Sequence, residues 1–364
     1  MKLLVISSYT DTWNSVRPEA EMIIGLKHAG VDVTLMTQGD AEYVPRFRDQ
    51  GVEVIDFHPR KKFSWSAIER IRAELKRGRY DVLYLFNNKA ITSGLLAAVG
   101  LPVKVVNYRG QTGNIYRHDP ASYLTHLNPR VDGIIGVANA VRDDLRPRVF
   151  LPEERVITVY KGHDLAWYEN TQPADLTQEF GIPAEAVKVI CVANARPRKG
   201  MPLLIEAFGQ LQSAQEVHLI LVGGGMDAPE FQQLVSTSPA SQRIHVAGFR
   251  KDVPQLVSAC DISVLPSLKR EGLPKTVIEA MAYGVAPIVS DTGGSAELVE
   301  PDVSGIVVEP GKAEQLTAAM QRLVDDADSR QKMGAAARVR LGELFTVDRA
   351  VADTHAFFIR LTQS

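Results

Sequence analysis

The chain has 364 residues, of which 45% are hydrophobic and 23% are charged, and its formal net charge is −2. This length allows two domains with separate cores, and the composition is typical of a soluble globular protein. No run approaches the length of about 18 apolar residues that a membrane-spanning helix needs. The apolar start at residues 1–8 is too short for a signal peptide. These features predict a cytoplasmic protein and exclude one that spans the membrane.

The charge is unevenly distributed along the chain. Residues 1–165 carry 23 Lys and Arg against 19 Asp and Glu, whereas residues 166–364 carry 18 against 24. We therefore do not expect a generic nucleic-acid-binding protein, although a local basic face on the first half is permitted. The two cysteines, Cys191 and Cys260, lie in apolar strand-like runs. This position favours buried, reduced thiols over a disulfide or a metal site.

Short apolar runs alternate with helical patterns in the first half, as in βαβ units built on a parallel sheet. The predicted strands span residues 2–7, 31–36, 52–57, 82–86, 103–108, 133–137 and 156–160. The predicted helices span residues 19–29, 66–77, 90–99 and 140–146.

The same alternation resumes after residues 164–183, a polar and turn-rich segment that we interpret as a linker. The predicted strands span residues 187–193, 217–222, 244–248, 261–265, 287–290 and 305–308. The predicted helices span residues 202–211, 229–235, 254–259, 274–283, 313–324 and 328–344. Asp326 and Asp328 fall between the last two helices, so we interpret this pair as a helix cap and not as a metal-binding D-x-D. The fold class predicted is α/β.

The most informative stretch runs from Glu271 to Gly284 and reads EGLPKTVIEAMAYG. Pro274 suits the first position of a helix, and Gly284 suits its exit. The amides of the first turn, with those of Gly272 and Leu273, then lack intrahelical partners and favour a phosphate group. We therefore count Gly272, Leu273 and Pro274 among the candidate ligand-binding residues.

Glu271 precedes this helix and Glu279 lies in its second turn. Two carboxylates are thus available for the hydroxyl pairs of a ribose and a hexose. A diphosphate held between two polyols has the shape of a nucleotide sugar. The stretch resembles the E-x7-E region of the retaining GT-B glycosyltransferases of family GT4, as do residues 260–267 before it and residues 286–297 after it.

The resemblance implies the GT-B fold, in which two Rossmann-like domains face each other across a cleft. It implies an acceptor domain at residues 1–165, a nucleotide-sugar donor domain at residues 166–345, and a C-terminal helix within residues 346–364 that returns to the first domain. It also implies that Glu279 accepts hydrogen bonds from the ribose. Glu271 would accept them from the donor sugar and stabilise positive charge as the anomeric carbon becomes oxocarbenium-like.

A basic loop follows the first strand of the second half, at residues 191–200, and reads CVANARPRKG. Basic residues at the carboxyl end of a strand lie where open α/β sheets bind ligands. In GT4 enzymes an arginine and a lysine of this loop neutralise the donor diphosphate without a metal, and Arg198 and Lys199 resemble that pair. Because Asn194 begins a departure from the usual glycine–arginine opening, either Arg196 or Arg198 could face the phosphate.

Two further loops of the second half resemble donor-binding segments of the family. Gly224 lies in a glycine-rich loop after the second strand of this half. Phe249 and Arg250 lie in a segment whose backbone contacts the nucleotide base in the family. For Phe249, simple packing beneath a loop is an equally good interpretation.

The first half has fewer distinctive features. Many members of GT4 carry a histidine or an aspartate after a middle strand of this domain, close to the reacting sugar. Arg109 matches by its position at a strand end, and His118 matches by residue type. Both remain candidate catalytic residues.

We therefore predict a retaining, metal-independent glycosyltransferase that moves a sugar from a UDP-, GDP- or ADP-sugar to a hydroxyl acceptor. The resemblance suggests a role in the synthesis of cell-surface polysaccharide or of a glycolipid of the lipopolysaccharide type. No cofactor and no metal are expected, because fixed cations would stabilise the departing diphosphate. Two alternatives stay open: a nucleotide-sugar epimerase of the same fold, and a non-catalytic protein that binds nucleotide sugars.

Residues 58–79 hold eight Lys and Arg against two Asp and Glu. Phe63 and Trp65 precede the predicted helix and could lie at an anionic headgroup interface. This interpretation predicts peripheral contact with the inner face of the cell membrane and a lipid-linked acceptor. Alternatively, an ordinary surface helix presents a core stripe of Ile68, Ile71 and Leu75, which Trp65 could extend.

Overall fold

The structure is a computed structural model, and it describes residues 1–11 and 13–363. The chain forms two compact units. The first unit contains residues 1–163 and the C-terminal segment that begins at Phe345, and the second contains residues 164–344. The sequence predicts these divisions after residues 165 and 345.

The first unit is built on a seven-stranded parallel sheet with the strand order β3-β2-β1-β4-β5-β6-β7. The strands are β1 (Lys2–Ile6), β2 (Asp32–Thr37), β3 (Glu53–Asp56), β4 (Val82–Leu85), β5 (Lys104–Arg109), β6 (Gly133–Gly136) and β7 (Val156–Thr158). The helices along this part of the chain are α1 (Trp13–His28), α2 (Val44–Asp49), α3 (Trp65–Gly78), α4 (Asn88–Ala97) and α5 (Asn139–Leu145). The central strand β4 is buried along its whole length, as expected of a parallel strand covered by helices on both faces.

The second unit is built on a six-stranded parallel sheet with the order β10-β9-β8-β11-β12-β13. The strands are β8 (Val187–Val192), β9 (Val217–Val222), β10 (Ile244–Gly248), β11 (Ile262–Leu265), β12 (Ala286–Ser290) and β13 (Ile306–Val308). The helices are α6 (Leu176–Phe180), α7 (Met201–Gly209), α8 (Pro229–Ser236), α9 (Val253–Ser258), α10 (Lys275–Ala282), α11 (Ser295–Leu298), α12 (Ala313–Asp325) and α13 (Ala327–Leu344). Both units are therefore Rossmann-like α/β layers, as predicted.

The last helix, α14 (Val347–Gln363), belongs to the first unit. It packs against α1, and its residues Ala350, Phe357 and Phe358 are part of the first unit's hydrophobic core. A Cβ atom on Gly25 of α1 would lie 2.3 Å from the side chain of Val351. The glycine therefore allows the two helices to approach closely.

Every predicted strand corresponds to an observed strand, and the main differences concern helices. The helix α1 begins at Trp13, six residues before its predicted start. The short helices α2, α6 and α11 were not predicted, because so few turns give little hydrophobic periodicity. The helix α6 lies in the predicted linker, where the carboxylate of Asp175 caps it by accepting from the amide of Gln178 at 2.9 Å. The predicted helix cap at Asp326 is confirmed, since its carboxylate accepts from the amide of Ser329 at 2.9 Å.

Candidate functional site

A buried carboxylate lies in the loop between β11 and α10, at the carboxyl-terminal edge of the second unit's sheet. Glu271 is only 6% exposed. Its Oε1 accepts hydrogen bonds from Lys199 Nζ and Ser267 Oγ, each at 2.6 Å. Arg198 Nη1 lies 3.7 Å from the same oxygen and donates to the carbonyl of Arg270 at 3.2 Å. Lysine and arginine thus supply the opposite charge that a buried carboxylate requires.

Two glycines allow the backbone to close around this ion pair. Gly200 has a φ of 70°, and a Cβ atom there would lie 2.0 Å from the carbonyl oxygen of Pro266. Gly293 has a φ of 53°, and its Cβ would lie 2.1 Å from the carbonyl oxygen of Glu271. Any side chain at either position would collide with backbone. Both glycines are therefore needed to keep Lys199 and Glu271 in place.

The helix that follows this loop supplies a second carboxylate. It runs over Lys275–Ala282, and Pro274 is its extended N-cap residue, so the prediction that Pro274 opens the helix is wrong by one position. Glu279 is 3% exposed, and its Oε1 lies 3.0 Å from Lys275 Nζ. Within the described residues, no hydrogen bond uses the amides of Lys275 or Thr276. This helix start is therefore available to an anion.

A cavity of about 390 Å³ opens beside the buried ion pair. Its walls come from the carboxyl ends of β8, β9 and β10 and from the start of α10, where open α/β sheets bind ligands. The volume suits a small-molecule ligand. The predicted site residues that line it are Asn194, Lys199, Phe249, Arg250, Glu271 and Pro274. The predicted site residues that lie next to this lining along the chain or in α10 are Arg196, Arg198, Gly224, Gly272, Leu273 and Glu279.

The loops after β8 and β9 are joined to each other by hydrogen bonds. Asn194 Oδ1 accepts from the amide of Gly224 at 2.9 Å, and the amide of Ala195 donates to the carbonyl of Gly224 at 2.9 Å. Asn194 therefore fixes the shape of this wall. Arg196 is exposed, so of the two candidate arginines it is Arg198 that lies beside the buried carboxylate.

The loop after β10 supplies an exposed aromatic ring and a paired arginine. Phe249 is 70% exposed, so the interpretation that it packs beneath a loop is wrong. Arg250 makes an ion pair of 2.6 Å with Asp252 and a second one with Glu179. The guanidinium group is therefore already neutralised by two carboxylates at the rim of the cavity.

The two candidates in the first unit have other contacts. Arg109 Nε donates to the carbonyl of Gln111 at 2.9 Å, and its Nη2 donates to the carbonyl of Gly113. The guanidinium group thus holds the loop after β5. His118 is exposed, and its ring stacks on Tyr116 with 5.2 Å between ring centroids. The first unit has a polar cavity, and neither Arg109 nor His118 lines it.

This polar cavity, of about 630 Å³, lies at the carboxyl ends of the strands β1 to β5. Its polar lining residues include Ser7, Gln38, His58, Arg60, Lys62, Asn87 and Lys89. The sequence reasoning missed this site, because no contiguous motif marks it. The available signal was that polar residues follow several predicted parallel strands, whose carboxyl ends share one edge of the sheet.

The basic segment at residues 58–79 combines features of both interpretations. Ile68, Ile71 and Leu75 of α3 are buried, which confirms the core stripe. Trp65 is 68% exposed, so its predicted place in that stripe is wrong. Phe63 is 51% exposed, and its ring lies 5.2 Å from that of Trp65 between centroids. In the part of the chain that the structure describes, no helix has both the length and the apolar character for a bilayer crossing.

Comparison with protein-family models identifies both halves of the chain. The model described as "Glycosyl transferases group 1" matches residues 174–340, which lie within the second unit. The model described as "Glycosyltransferase Family 4" matches residues 20–167, most of the first unit. The chain belongs to the GT4-type glycosyltransferases.

Several curated proteins resemble this GT4-type chain. Alpha-D-kanosaminyltransferase of Streptomyces kanamyceticus is 26% identical, over 57% of this chain and 55% of the relative. N-acetyl-alpha-D-glucosaminyl L-malate synthase of Bacillus anthracis is also 26% identical, over 57% of this chain and 54% of the relative. The match therefore spans about half the length of these two relatives.

Solved structures resemble the chain over almost its whole length. A glycosyltransferase from Rickettsia africae ESF-5 has a TM-score of 0.82 at 18% identity, covering 100% of this chain and 99% of the other. The Anabaena protein Alr3699/HepE in complex with UDP-glucose has a TM-score of 0.77 at 21% identity, covering 98% of this chain and 99% of the other. The GT4-type chain therefore has the predicted GT-B fold.

The sequence reasoning named residues at the second unit's cavity in this GT4-type chain but not the contacts between them. It assigned Lys199 and Glu271 to different parts of a ligand, whereas the structure pairs them directly. It also missed Ser267 and Lys275, which bond the two carboxylates. Lys275 was detectable, because it precedes Glu279 by one helical turn.

Proposed function

We propose that the protein is a retaining, metal-independent glycosyltransferase that uses a nucleoside-diphosphate sugar as donor and a hydroxyl compound as acceptor. The observation that carries the proposal is the buried Lys199–Glu271 pair, which lines a cavity at the start of α10. A lysine and a carboxylate in one small-molecule cavity offer a cation for a diphosphate and an acceptor for sugar hydroxyls.

The fixed cations suit a departing diphosphate. Lys199 and Arg198 lie 2.6 Å and 3.7 Å from Glu271 Oε1, so without a ligand one carboxylate offsets one of the two positive charges. A diphosphate would share these cations and accept hydrogen bonds from the free amides at the start of α10. Preorganised charge of this kind stabilises a leaving group without a metal.

The two carboxylates suit the two ends of the donor. Release of Lys199 to the diphosphate would leave Glu271 free to accept hydrogen bonds from the donor sugar and to stabilise positive charge near its anomeric carbon. Glu279 would accept hydrogen bonds from the ribose hydroxyls, with Lys275 keeping its charge compensated until the donor binds. Phe249, exposed at the rim, offers an aromatic face to the base.

The acceptor side suits a lipid-linked or cell-surface precursor. The exposed pair Phe63 and Trp65 adjoins the basic residues Arg60, Lys61 and Lys62. Aromatic rings beside lysine and arginine favour the surface of an anionic membrane. We propose a cytoplasmic enzyme that contacts the inner face of the cell membrane and acts in polysaccharide or glycolipid synthesis, including lipopolysaccharide-type products.

A panel of labelled UDP-, GDP- and ADP-sugars tests the function. A donor at 100 times its dissociation constant should stabilise the fold by about 2.7 kcal/mol in thermal unfolding. The selected donor is then incubated with hydroxyl acceptors, with and without EDTA. We expect transfer with retained anomeric configuration in both cases.

Each other outcome contradicts a stated part of the proposal. An isomerised donor without transfer would identify an epimerase, and binding without turnover would identify a nucleotide-sugar sensor. Activity that is lost in EDTA and restored by magnesium or manganese would show that a metal performs the role given to Lys199 and Arg198.

A further inference from the structure

The polar cavity of the first unit contains cations that lack partners. Arg60, Lys62 and Lys89 line it, and within the described residues none of them has a carboxylate at ion-pair distance. Two carboxylates, Asp11 and Glu19, also line the cavity. Burial raises the pKa of Glu19, which weakens its tendency to ionise. The cavity is therefore electropositive when it is empty.

A neutral histidine connects the loop and the helix that carry these cations. Asn87 Oδ1 caps α4 by accepting a backbone hydrogen bond of 3.1 Å. Its Nδ2, 2.9 Å from His58 Nε2, is left as the donor, and only a neutral ring can accept from it. Burial, with help from the charge of Lys89, lowers the pKa of His58 to about 4. The loop after β3 is thus fixed to the start of α4 without adding charge.

Other groups at the cavity are also suited to an anion. Asn88 and Lys89, which open the ten-residue helix α4, line the cavity, so the positive end of the helix dipole faces the same space. The hydroxyl of Tyr108 is buried and has no hydrogen-bond partner among the described residues, and Tyr108 lines the cavity. Burial raises the pKa of this hydroxyl, so it remains a donor.

These features select among possible ligands. Cations that converge without counter-charges repel one another, and a neutral sugar would not offset that repulsion. A phosphoryl group at neutral pH carries between one and two negative charges and accepts several hydrogen bonds at once. It therefore matches three cations and a helix start better than a hydroxyl group alone does.

We propose that this cavity binds the phosphoryl group of a phosphate-bearing acceptor, with Arg60, Lys62 and Lys89 as its ligands. The proposal rests on the glycosyltransferase function proposed above, because it names the class of acceptor. The same phosphoryl chemistry could belong to a soluble sugar phosphate or to a lipid phosphate.

Binding of inorganic phosphate to the full-length chain tests the site directly. The single variants are Arg60→Ser, Lys62→Ser and Lys89→Ser, and the matched control is Lys61→Ser, an exposed neighbour that does not line the cavity. All are measured by calorimetry in a Lys199→Ala, Glu271→Gln double-variant background, which removes the buried cation of the second unit without leaving an uncompensated charge. We expect each cavity variant to weaken binding about tenfold and Lys61→Ser to leave it unchanged.

Two results would overturn the proposal. One is an equal effect of Lys61→Ser and the three cavity variants, which would indicate only a diffuse positive charge. The other is the absence of any phosphate binding in the folded Lys199→Ala, Glu271→Gln background. Unfolding temperatures of the variants are measured in parallel, and the three substituted side chains are exposed, so we expect folded proteins.

Acceptor assays then separate the two sources of phosphate. A hexose, its phosphate ester and a detergent-solubilised lipid-phosphate sugar are compared with the same donor. We expect kcat/KM to be higher for the phosphorylated acceptors than for the hexose. The Lys89→Ser variant should lose this gain. The phosphorylated acceptor with the higher kcat/KM identifies the source of the phosphate. Equal use of phosphorylated and unphosphorylated acceptors would overturn the proposal and leave the glycosyltransferase function intact. Phosphate binding at the predicted residues without any transfer would instead count against that function.

Discussion

The cavities of the two units lie at equivalent places and have opposite charge arrangements. Each is formed by loops at the carboxyl ends of parallel strands. In the second unit the three cations that line the cavity are all paired, Lys199 with Glu271, Lys275 with Glu279, and Arg250 with Asp252 and Glu179. In the first unit the lining cations lack such partners among the described residues.

This difference shows two ways of preparing a polar site. Paired charges keep a buried site electrically neutral, and a ligand must exchange with an existing partner to bind. Breaking such a pair leaves a buried charge uncompensated and is costly. Unpaired, exposed cations contribute little to folding and are free for an incoming anion. Substitutions should therefore affect both folding and activity in the second unit, and mainly ligand binding in the first.

The largest effect is expected from Lys199→Ala. Removal of this ammonium group leaves the buried Glu271 carboxylate with Ser267 and a more distant Arg198. We expect the free energy of unfolding to fall by about 3–5 kcal/mol and turnover by a factor of about 10²–10³. Urea unfolding and steady-state kinetics measure the two effects.

Two control variants sharpen this prediction. The double variant Lys199→Ala with Glu271→Gln should recover much of the stability but none of the activity, because the uncompensated charge is gone. Arg196→Ala removes an exposed cation of the same loop, and it should lower the free energy of unfolding and the turnover less than Lys199→Ala does. Equal losses for Arg196→Ala and Lys199→Ala would contradict the importance of the buried pair.

The next prediction separates the two carboxylates of the second unit. Glu279→Ala should raise KM for the donor by about tenfold or more, since one charge-assisted hydrogen bond contributes about 1.5–3 kcal/mol. Glu271→Ala should mainly lower kcat, because the proposed function gives Glu271 a contact with the reacting sugar that strengthens in the transition state. Initial rates over a range of donor concentrations distinguish the two effects, and wild-type kinetics in both variants would show that the donor lies elsewhere.

The two cavities also differ in how well the sequence predicts their residues. The residues of the second cavity lie largely in two short segments, 191–200 and 271–279, where spacing along one helix and one loop carries the information. The pairing of Lys199 with Glu271 joins positions 72 residues apart and depends on how β8 and β11 lie in the sheet. A local sequence pattern carries no information about a contact between residues so far apart along the chain.

The first cavity could not be assembled in the same way. It gathers single residues from the ends of several strands, and each of them is unremarkable in its own segment. Arg109 and His118 were chosen by strand end and by residue type. In the structure, Arg109 donates hydrogen bonds to the carbonyls of its own loop, and His118 is exposed at the surface. The membrane and catalytic roles predicted for this half therefore remain predictions.

Acidification should weaken the first unit more than the second. Burial, and then Lys89, lower the pKa of His58 to about 4; burial, and then Arg109, lower that of His126 to about 3. An unfolded histidine titrates near 6.5, so the unfolded chain binds more protons than the folded one below that pH. Stability is therefore full above about pH 6.5 and falls as the pH drops toward 4, by about 3 kcal/mol for the fully buried ring of His126 and by less for the less deeply buried ring of His58.

Hydrogen exchange, corrected for its intrinsic pH dependence, measures this effect separately in β4 and in β9. At pH 4.5 we expect protection against exchange to fall more in β4 than in β9. This difference should be smaller in a His126→Asn variant. Glu19, whose pKa is raised by burial, acts in the opposite direction, so Glu19→Gln should make the pH dependence steeper. Equal loss of protection in both strands would contradict the difference between the units.

The smallest effect concerns the unpaired basic loop and membranes. Each basic residue near an anionic leaflet contributes about 1 kcal/mol, so replacing Arg60, Lys61 and Lys62 by Ser should release the protein from vesicles that contain anionic lipid at low salt. The control replaces three exposed lysines of the second unit, Lys251, Lys269 and Lys312, and changes the net charge equally.

Co-sedimentation at low and moderate salt measures the bound fraction. Since this attraction is not localised, Lys61 should contribute to it as much as Arg60 or Lys62, unlike its expected lack of effect on phosphate binding. Replacing both Phe63 and Trp65 by Ser should weaken the binding that remains at moderate salt, where charge is screened and apolar contact persists. Equal release by the two triple variants would indicate attraction by net charge alone. Absence of binding at low salt would favour a soluble acceptor.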